Sequence, residues 1–344
     1  MFGMCWRVWQ RLGKGAPCNI STRGAAAILG AMLVAIASSA TAADDYPTRS
    51  ITVVVPFPAG GPSDVVTRIV TDHMAKTLHQ SLVIENIGGA GGGLGSARVA
   101  SSAPDGYTLL AASMGSHVAA PVLAPNVKYD PVRDFEPIGL MAHAPAVIVA
   151  RKTFPAGNLE EFLEALRKLG GGVTQAHGGI GASSHMACLL FATAAHVTPT
   201  LVAYRGTGPA INDLVGGHVD FLCDQAVSLT QQINEGAIKA YAVSSQERLA
   251  VLPQVPTAAE AGLDYQMSIW AGMFAPRGTA KAVVDRLAQA LDQALEDRQV
   301  QKRLSELGGT VPVKSDRTPA KFDGFVRAEI ARWAPILKAA NVEK

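Results

Sequence analysis

Charge is scarce in this chain: 17% of its 344 residues are charged and 6% aromatic, against 48% hydrophobic. That balance excludes a polyelectrolyte tail and an intrinsically disordered protein. Neither sign dominates, for the formal net charge is +2. Arg7, Arg11, Lys14 and Arg23 all precede Asp44, the first acidic residue, so the remainder carries 2 − 4 = −2. No nucleic-acid footprint is left. Cysteine is equally sparse. There are four, with no C-x-x-C spacing, and together with scattered His they form no closed zinc set. After residue 43 no uncharged stretch approaches the ~18 apolar residues of a membrane helix. Nucleotide signatures are missing too: Gly89-Ala90-Gly91-Gly92-Gly93 has Leu94 where G-x-G-x-x-G needs glycine, and no G-x-x-x-x-G-K-[ST] occurs. No G-x-S-x-G elbow is present for a hydrolase. The sequence therefore predicts no cofactor, no metal and no nucleic-acid partner, and neither an internal repeat nor a low-complexity block is visible.

What is there begins with an address. The basic residues of 1–23 precede an apolar, small-residue run from Ala25 to Ala40, and Ala40-Thr41-Ala42 follows. This order reads as a secretory signal cleaved after Ala42, which predicts a periplasmic protein, the alternative being an uncleaved membrane anchor over Gly24 to Ala43. Cys5 and Cys18 leave with it. Cys188 and Cys223 remain, and in an oxidising compartment they are a candidate disulfide, the alternative being two separately buried thiols.

Beyond the signal, short β-branched runs alternate with longer helical patterns. Strands are predicted at 51–55, 81–84, 107–112, 146–150, 173–176, 200–204, 219–223, 238–243 and 273–275. Helices are predicted from Ser63 or Asp64, through 97–100, and over 158–169, 183–195, 208–215 and 227–234. Two amphipathic helices follow, one along Val283, Val284, Leu287, Leu291 and Leu295 and one along Phe322, Phe325, Ile330, Trp333 and Leu337. Strands alternating with helices imply parallel sheets. At this length two lobes are expected. A C-terminal return to the first lobe gives two crossing segments, which is a hinge. The division is 43–144 plus 268–344 for the first lobe and 145–267 for the second.

Gly- and hydroxyl-rich loops fall repeatedly between strand and helix: PFPAGGPSD, NIGGAGGGLG, SMGSH, GGIGASSH, YRGTGPA and CDQAVS. Ligands of open α/β sheets sit at such points, where backbone N–H groups at helix N-termini suit an anion. Several loops across two lobes predict a cleft between them. Ser183, Ser184 and His185 raise a hydrolase reading, but adjacent helical residues point about 100° apart and make no triad alone. His117 and His185 either line the cleft or orient loops; Asp64 and Asp224 either cap helices or meet the ligand. Arg205 is a surface residue or a partner for a carboxylate.

As an ordered set these stretches resemble the Bug-type (TctC-like) receptors, the extracytoplasmic solute-binding proteins of tripartite tricarboxylate transporters. The resemblance rests on ITVVVPFPAGGPSDVVTR, VIENIGGAGGGLGSARVASSAPDGYTLL, YDPVRDFEPIGL, GIGASSH, YRGTGPAINDLVGGHVDF and VPTAAEAG, and covers essentially the whole chain after the signal. It implies an α/β two-lobed periplasmic-binding-protein fold of type II, with two doubly wound sheets and a hinge. It further implies a monomeric, non-catalytic receptor that captures a small carboxylate, an organic acid or acidic amino acid, for membrane permease subunits. Carried over residue by residue, the contacts are Pro58, Ala59, Gly60, Gly61, Ala90, Gly91, Ser113, Ser183, Ser184, Thr207 and Asp224. The residues themselves add Asp64 and His117. The contexts of Cys188 and Cys223 resemble an aspartate-type branch. A serine-dependent hydrolase or transferase, and a ligand sensor for a signalling partner, are the competing readings.

Overall fold

The β-branched run Ile51–Val55 forms strand β1, buried along nearly its whole length, as a strand covered on both faces must be. It pairs in parallel with β2 (Leu82–Asn86) and β3 (Thr108–Ser113). Between them lie helices α1 (Pro62–Leu78) and α2 (Gly93–Ala100). This computed structural model describes residues 46–342 except position 125; the expected signal with Cys5 and Cys18 lies outside the described residues. The chain from Pro47 onward forms one unit.

The organising element is β4, 17 residues from Phe135 to Arg151. Its first half, to Pro145, pairs antiparallel with β9 (Ser268–Pro276), which continues to β3. Its second half, from Ala146, pairs antiparallel with β7 (Phe221–Gln225) and β8 (Ile238–Val243). In the second sheet β5 (Thr174–His177) lies parallel to β7 and to the edge strand β6 (Thr200–Ala203). The order is β2-β1-β3-β9-β4-β7-β5-β6, with β8 also on β4. Two α/β sheets are thus joined through one strand.

Parallel pairing, expected throughout, holds for the βαβ neighbours alone; β4, β8 and β9 run antiparallel to their partners. The sequence predicts β4 only from residue 146 because Pro137, Gly139 and Pro145 interrupt the earlier stretch. The ladder absorbs them with register shifts between Pro137 and Gly139 and between Leu140 and Ala142, as bulges do.

The remaining helices are α3 (Ala120–Leu123), entered from a π-turn at Gly115–Ala119, then α4 (Leu159–Leu169), α5 (Ser183–Ala195), α6 (Thr207–Gly216) and α7 (Ala226–Asn234). The C-terminal set is α8 (Lys281–Glu296), α9 (Arg298–Ser305) and α10 (Pro319–Val342). Asn158 caps α4 by accepting the Glu161 N–H, as its position before an apolar stripe predicts. Helix α8 packs on α1 and returns the C-terminus to the first sheet, while α10 also touches α5. Each sheet has an aromatic centre. Phe135, Trp270 and Phe274 gather around His117, with Phe322 against Phe274, and Phe162 stacks on Tyr241 beside Phe191 and Phe221. Full burial of such side chains contributes roughly 1.5–3 kcal/mol each. No helix among the described residues is long and apolar enough to cross a membrane.

Candidate ligand cleft

Four helices, α1, α5, α6 and α7, begin at the carboxyl ends of β1, β5, β6 and β7. The starts of α1, α5 and α6 line one cleft of about 320 Å³ including its opening, through Gly61, Pro62 and Ser63, through Ala182, Ser183 and Ser184, and through Thr207, and the end of β7, which leads into α7, adds Asp224 and Gln225; Phe57 and Pro58 complete the wall. The N-cap positions are Gly61, Ala182, Gly206 and Gln225, and none of the four makes a side-chain capping bond. The first N–H groups of each helix have no carbonyl one turn back. Four partial positive charges therefore point into a space whose lining, among the described residues, contains no Lys or Arg.

The PFPAGG loop is held from behind. Asp64 accepts the Gly60 N–H at 2.9 Å, both Nε and Nη2 of Arg68, and Nδ2 of Asn86. Asn86 also donates to the Phe57 carbonyl at 3.0 Å. Burial works to raise the Asp64 pKa, but the bonds from Arg68, Gly60 and Asn86 prevail and hold it below the usual carboxylate value. Asp64 thus fixes the loop, and two expectations are corrected. The Asp64 carboxylate is saturated by loop partners, and the Gly60 amide is spent on it and is not a ligand donor. Exposed Ala59 lies outside the lining as well.

Pro58, Gly61, Ser183, Ser184, Thr207 and Asp224 do come together. Ala90 and Gly91 instead line an adjoining groove with Pro58, Ile180 and Arg205. Ser113 sits just behind, its Oγ 3.5 Å from that of Ser183, which also accepts the Gly115 N–H at 3.0 Å. Ser184 Oγ accepts the Gly178 N–H at 2.9 Å, and Nδ1 of His185 takes the Gly181 amide. These bonds brace the loop.

His117 is corrected outright. It is buried in the aromatic core, its ring 4.4 Å from that of Phe274, and burial pushes its pKa down to about 3. It is neutral packing, not a ligand group. Phe57, Pro62, Ser63, Ala182 and Gln225 line the cleft without having been singled out. All sit inside or beside the quoted loops, so proximity to a strand–helix junction was the available signal.

Asp224 is the one ionisable group of the lining and is 1% exposed. Its Oδ2 accepts the Ser228 hydroxyl at 2.8 Å, while Oδ1 is buried without a partner. Burial pushes its pKa up to about 6, against the lowering effects of Ser228, the Gln225 amide and the Thr207 hydroxyl.

Loops from the two sides of the cleft touch in this structure. A Cβ on Gly91, whose φ is +63°, would lie 2.3 Å from the Ile180 carbonyl oxygen, and one on Gly115 would lie 2.7 Å from the Ser183 nitrogen. These loops come from opposite sheets, and they meet only because side chains are missing.

Cys188 and Cys223 are free and buried, and the expected disulfide is not formed. Cys188 Sγ is docked on strand backbone, accepting the Cys223 N–H at 3.0 Å. Burial, reinforced by Cys188, pushes the Cys223 thiol well up, away from the thiolate that oxidation requires. No group of three metal-ligating side chains occurs among the described residues.

Comparison with known proteins agrees with this architecture. MatC from Rhodopseudomonas palustris, solved with bound malate, superposes with a TM-score of 0.82 at 44% identity, covering 85% of this chain and 100% of that one. The periplasmic binding protein BugD gives 0.83 at 42%, covering 86% and 99%. A further R. palustris protein, solved with adipate, gives 0.82 at 30%, covering 86% and 98%. The fold is thus the expected two-lobed fold of periplasmic binding proteins. Residues 66–342 match the family described as the tripartite tricarboxylate transporter family receptor, and with that match the chain belongs to the TctC family of solute receptors.

Proposed function

We propose that this protein is an exported, monomeric receptor that captures a small carboxylate and delivers it to the permease subunits of a tripartite tricarboxylate transporter. Residues 1–42 are its removable signal. Residues 43–144 with 268–344 are one lobe and 145–267 the other. The reading is carried by one observation, the convergence of four uncapped helix N-termini on a cleft without a fixed cation. Each such terminus favours an anion by ~0.3–1 kcal/mol, up to ~2 when partly buried. Converging, four of them hold a carboxylate without an Arg clamp. The amides of the α1 and α5 first turns, the Ser183, Ser184 and Thr207 hydroxyls and Asp224 are the contacts. Malate in MatC and adipate in its relative support a carboxylate as the ligand class. Binding, not catalysis, is the activity, in keeping with the receptor family that residues 66–342 match.

The test is a thermal-shift and calorimetry panel of mono-, di- and tricarboxylates on the chain beginning at Ala43. A ligand present at about 100 times its Kd stabilises by about 2.7 kcal/mol, which reads as a rise of several degrees in Tm. A flat panel, or ester turnover that vanishes in Ser184→Ala, overturns the reading.

A further inference from the structure

A buried carboxylate facing a site for anions is an electrostatic contradiction. Asp224, next to last in β7, stands at the cleft wall, Oδ2 is satisfied by Ser228, and Oδ1 is shielded from solvent with no partner. A buried acceptor left empty costs about 1–3 kcal/mol, more for a charged group. Bringing a ligand carboxylate alongside adds like-charge repulsion, which only a proton or a cation removes. The surroundings supply no cation. From α7 the neighbour is Ser228, from α6 Thr207, and from β4 Val147, its register partner; α5 brings the Ser183 and Ser184 hydroxyls to the same cleft. The neighbouring titratable group is the Cys223 thiol, neutral through burial. The guanidinium of Arg68, on α1, is committed to Asp64. No Lys or Arg contributes to the Asp224 electrostatics.

We propose that Asp224 takes up a proton from solvent when an anionic carboxylate fills the cleft, and donates it from Oδ1 in a hydrogen bond to that carboxylate. No bond breaks other than that to the solvent proton donor, and the proton stays on Asp224 until the ligand leaves. Ligand capture is then linked to proton capture, one for one. The unliganded group already titrates near 6 through burial, and the incoming anion raises it further. Above that point each pH unit weakens binding by about tenfold, until the pH exceeds the ligand-bound pKa. A neutral acid donating to a carboxylate also needs no hydroxyl or ammonium on the ligand, so succinate and malate are both accommodated.

This inference rests on the carboxylate reading of the cleft, and the two fail differently. Malate and succinate are titrated into the protein calorimetrically at about pH 7.5, in buffers of different ionisation enthalpy, and Kd is followed from about pH 6.5 to about pH 8.5. The expected result is uptake of about one proton per ligand and a Kd rising roughly tenfold per pH unit. In Asp224→Asn, whose amide donates without titrating, uptake falls to zero and Kd becomes independent of pH. Binding of both ligands without proton uptake by the native protein overturns the proposal and leaves the receptor reading standing. So does malate binding without uptake while succinate fails, which assigns Asp224 to an ionised acceptor of the ligand hydroxyl. Uptake persisting in Asp224→Asn overturns it as well. The uptake measurement needs only the native protein, so a poorly folding variant does not protect the idea. Absence of binding by either ligand, or by any carboxylate in the wider panel, removes the receptor reading and this inference with it.

Discussion

Gly115→Ala separates closing from folding. Gly115 starts the π-turn at the end of β3 and is not among the residues with positive φ, so alanine meets no backbone strain there. Its Cβ would fall 2.7 Å from the Ser183 nitrogen, 2.9 Å from the Ser183 hydroxyl and 3.2 Å from the Ala182 carbonyl carbon. These atoms belong to the start of α5 on the far side of the cleft, two of them to its main chain, so relief requires the cleft to widen. Overpacking of this kind costs about 1–3 kcal/mol, and the cost falls on the closed form alone. In the open form alanine is favoured over glycine, by up to about 1 kcal/mol in a helical setting. A ligand shifts a conformational equilibrium only through its differential contacts, so the penalty subtracts directly from binding. We expect Kd to rise between about 5- and 150-fold, with the ligand-free Tm unchanged or slightly raised. Small-angle scattering should show the ligand-bound variant more open than the native complex. Native affinity with native Tm refutes the reasoning, because the loops would then not meet on binding. A large fall in ligand-free Tm also refutes it, since the clash would lie within a permanently packed core. Gly91→Ala is the poorer probe, because φ of +63° mixes strain with the clash.

His117 makes the fold acid-sensitive. Its folded pKa is depressed to about 3 by burial, so the unfolded chain binds the proton first, and stability is lost as pH falls below the unfolded value of about 6.5. By about pH 5 the loss is about 2 kcal/mol relative to neutral pH. His117→Phe, matched to the surrounding rings, should lack this component in urea unfolding at the two pH values; equal pH dependence in both proteins would sink the assignment. Asp224 acts with the opposite sign, its raised pKa stabilising the fold as pH falls through about 6, and cancels in the comparison. Denatured without reductant, the exported protein should give two titratable thiols, Cys188 and Cys223; none would restore the bond that the structure leaves open.

The βαβ parts were legible because period and punctuation agree there. Ser183–Ala195 and Ile238–Val243 match the predicted ranges residue for residue, and the contacts implied by the family resemblance include six of the eleven lining residues. What escaped detection depends on partners distant in sequence. The first half of β4 is hidden by Pro137, Gly139 and Pro145, whose pairing with β9 no local pattern announces. His117 and Ser116 follow a strand like other junction residues, and only the arrival of Phe135, Trp270 and Phe274 turns the imidazole into core. Asp64 and Asp224 both stand beside helix N-termini. Arg68 on the same helix and Asn86 on the neighbouring strand make the first a brace, and without such partners the second keeps Oδ1 bare.

The strand shared by the two sheets has a kinetic corollary. Register places Pro145 opposite Ser268, so the chain leaves the first sheet and re-enters it at one pair of facing residues, about 5 Å apart as in any antiparallel ladder. Residues 146–267 are in effect a 122-residue insertion (267 − 145 = 122) with its two ends side by side. Joining such distant ends from an unfolded chain carries a loop-closure entropy that grows with the logarithm of length and slows folding through high contact order. Prior collapse of the insertion removes most of that penalty, for it delivers both ends together. On that route the β4–β9 ladder forms late, after the insertion between its strands has collapsed.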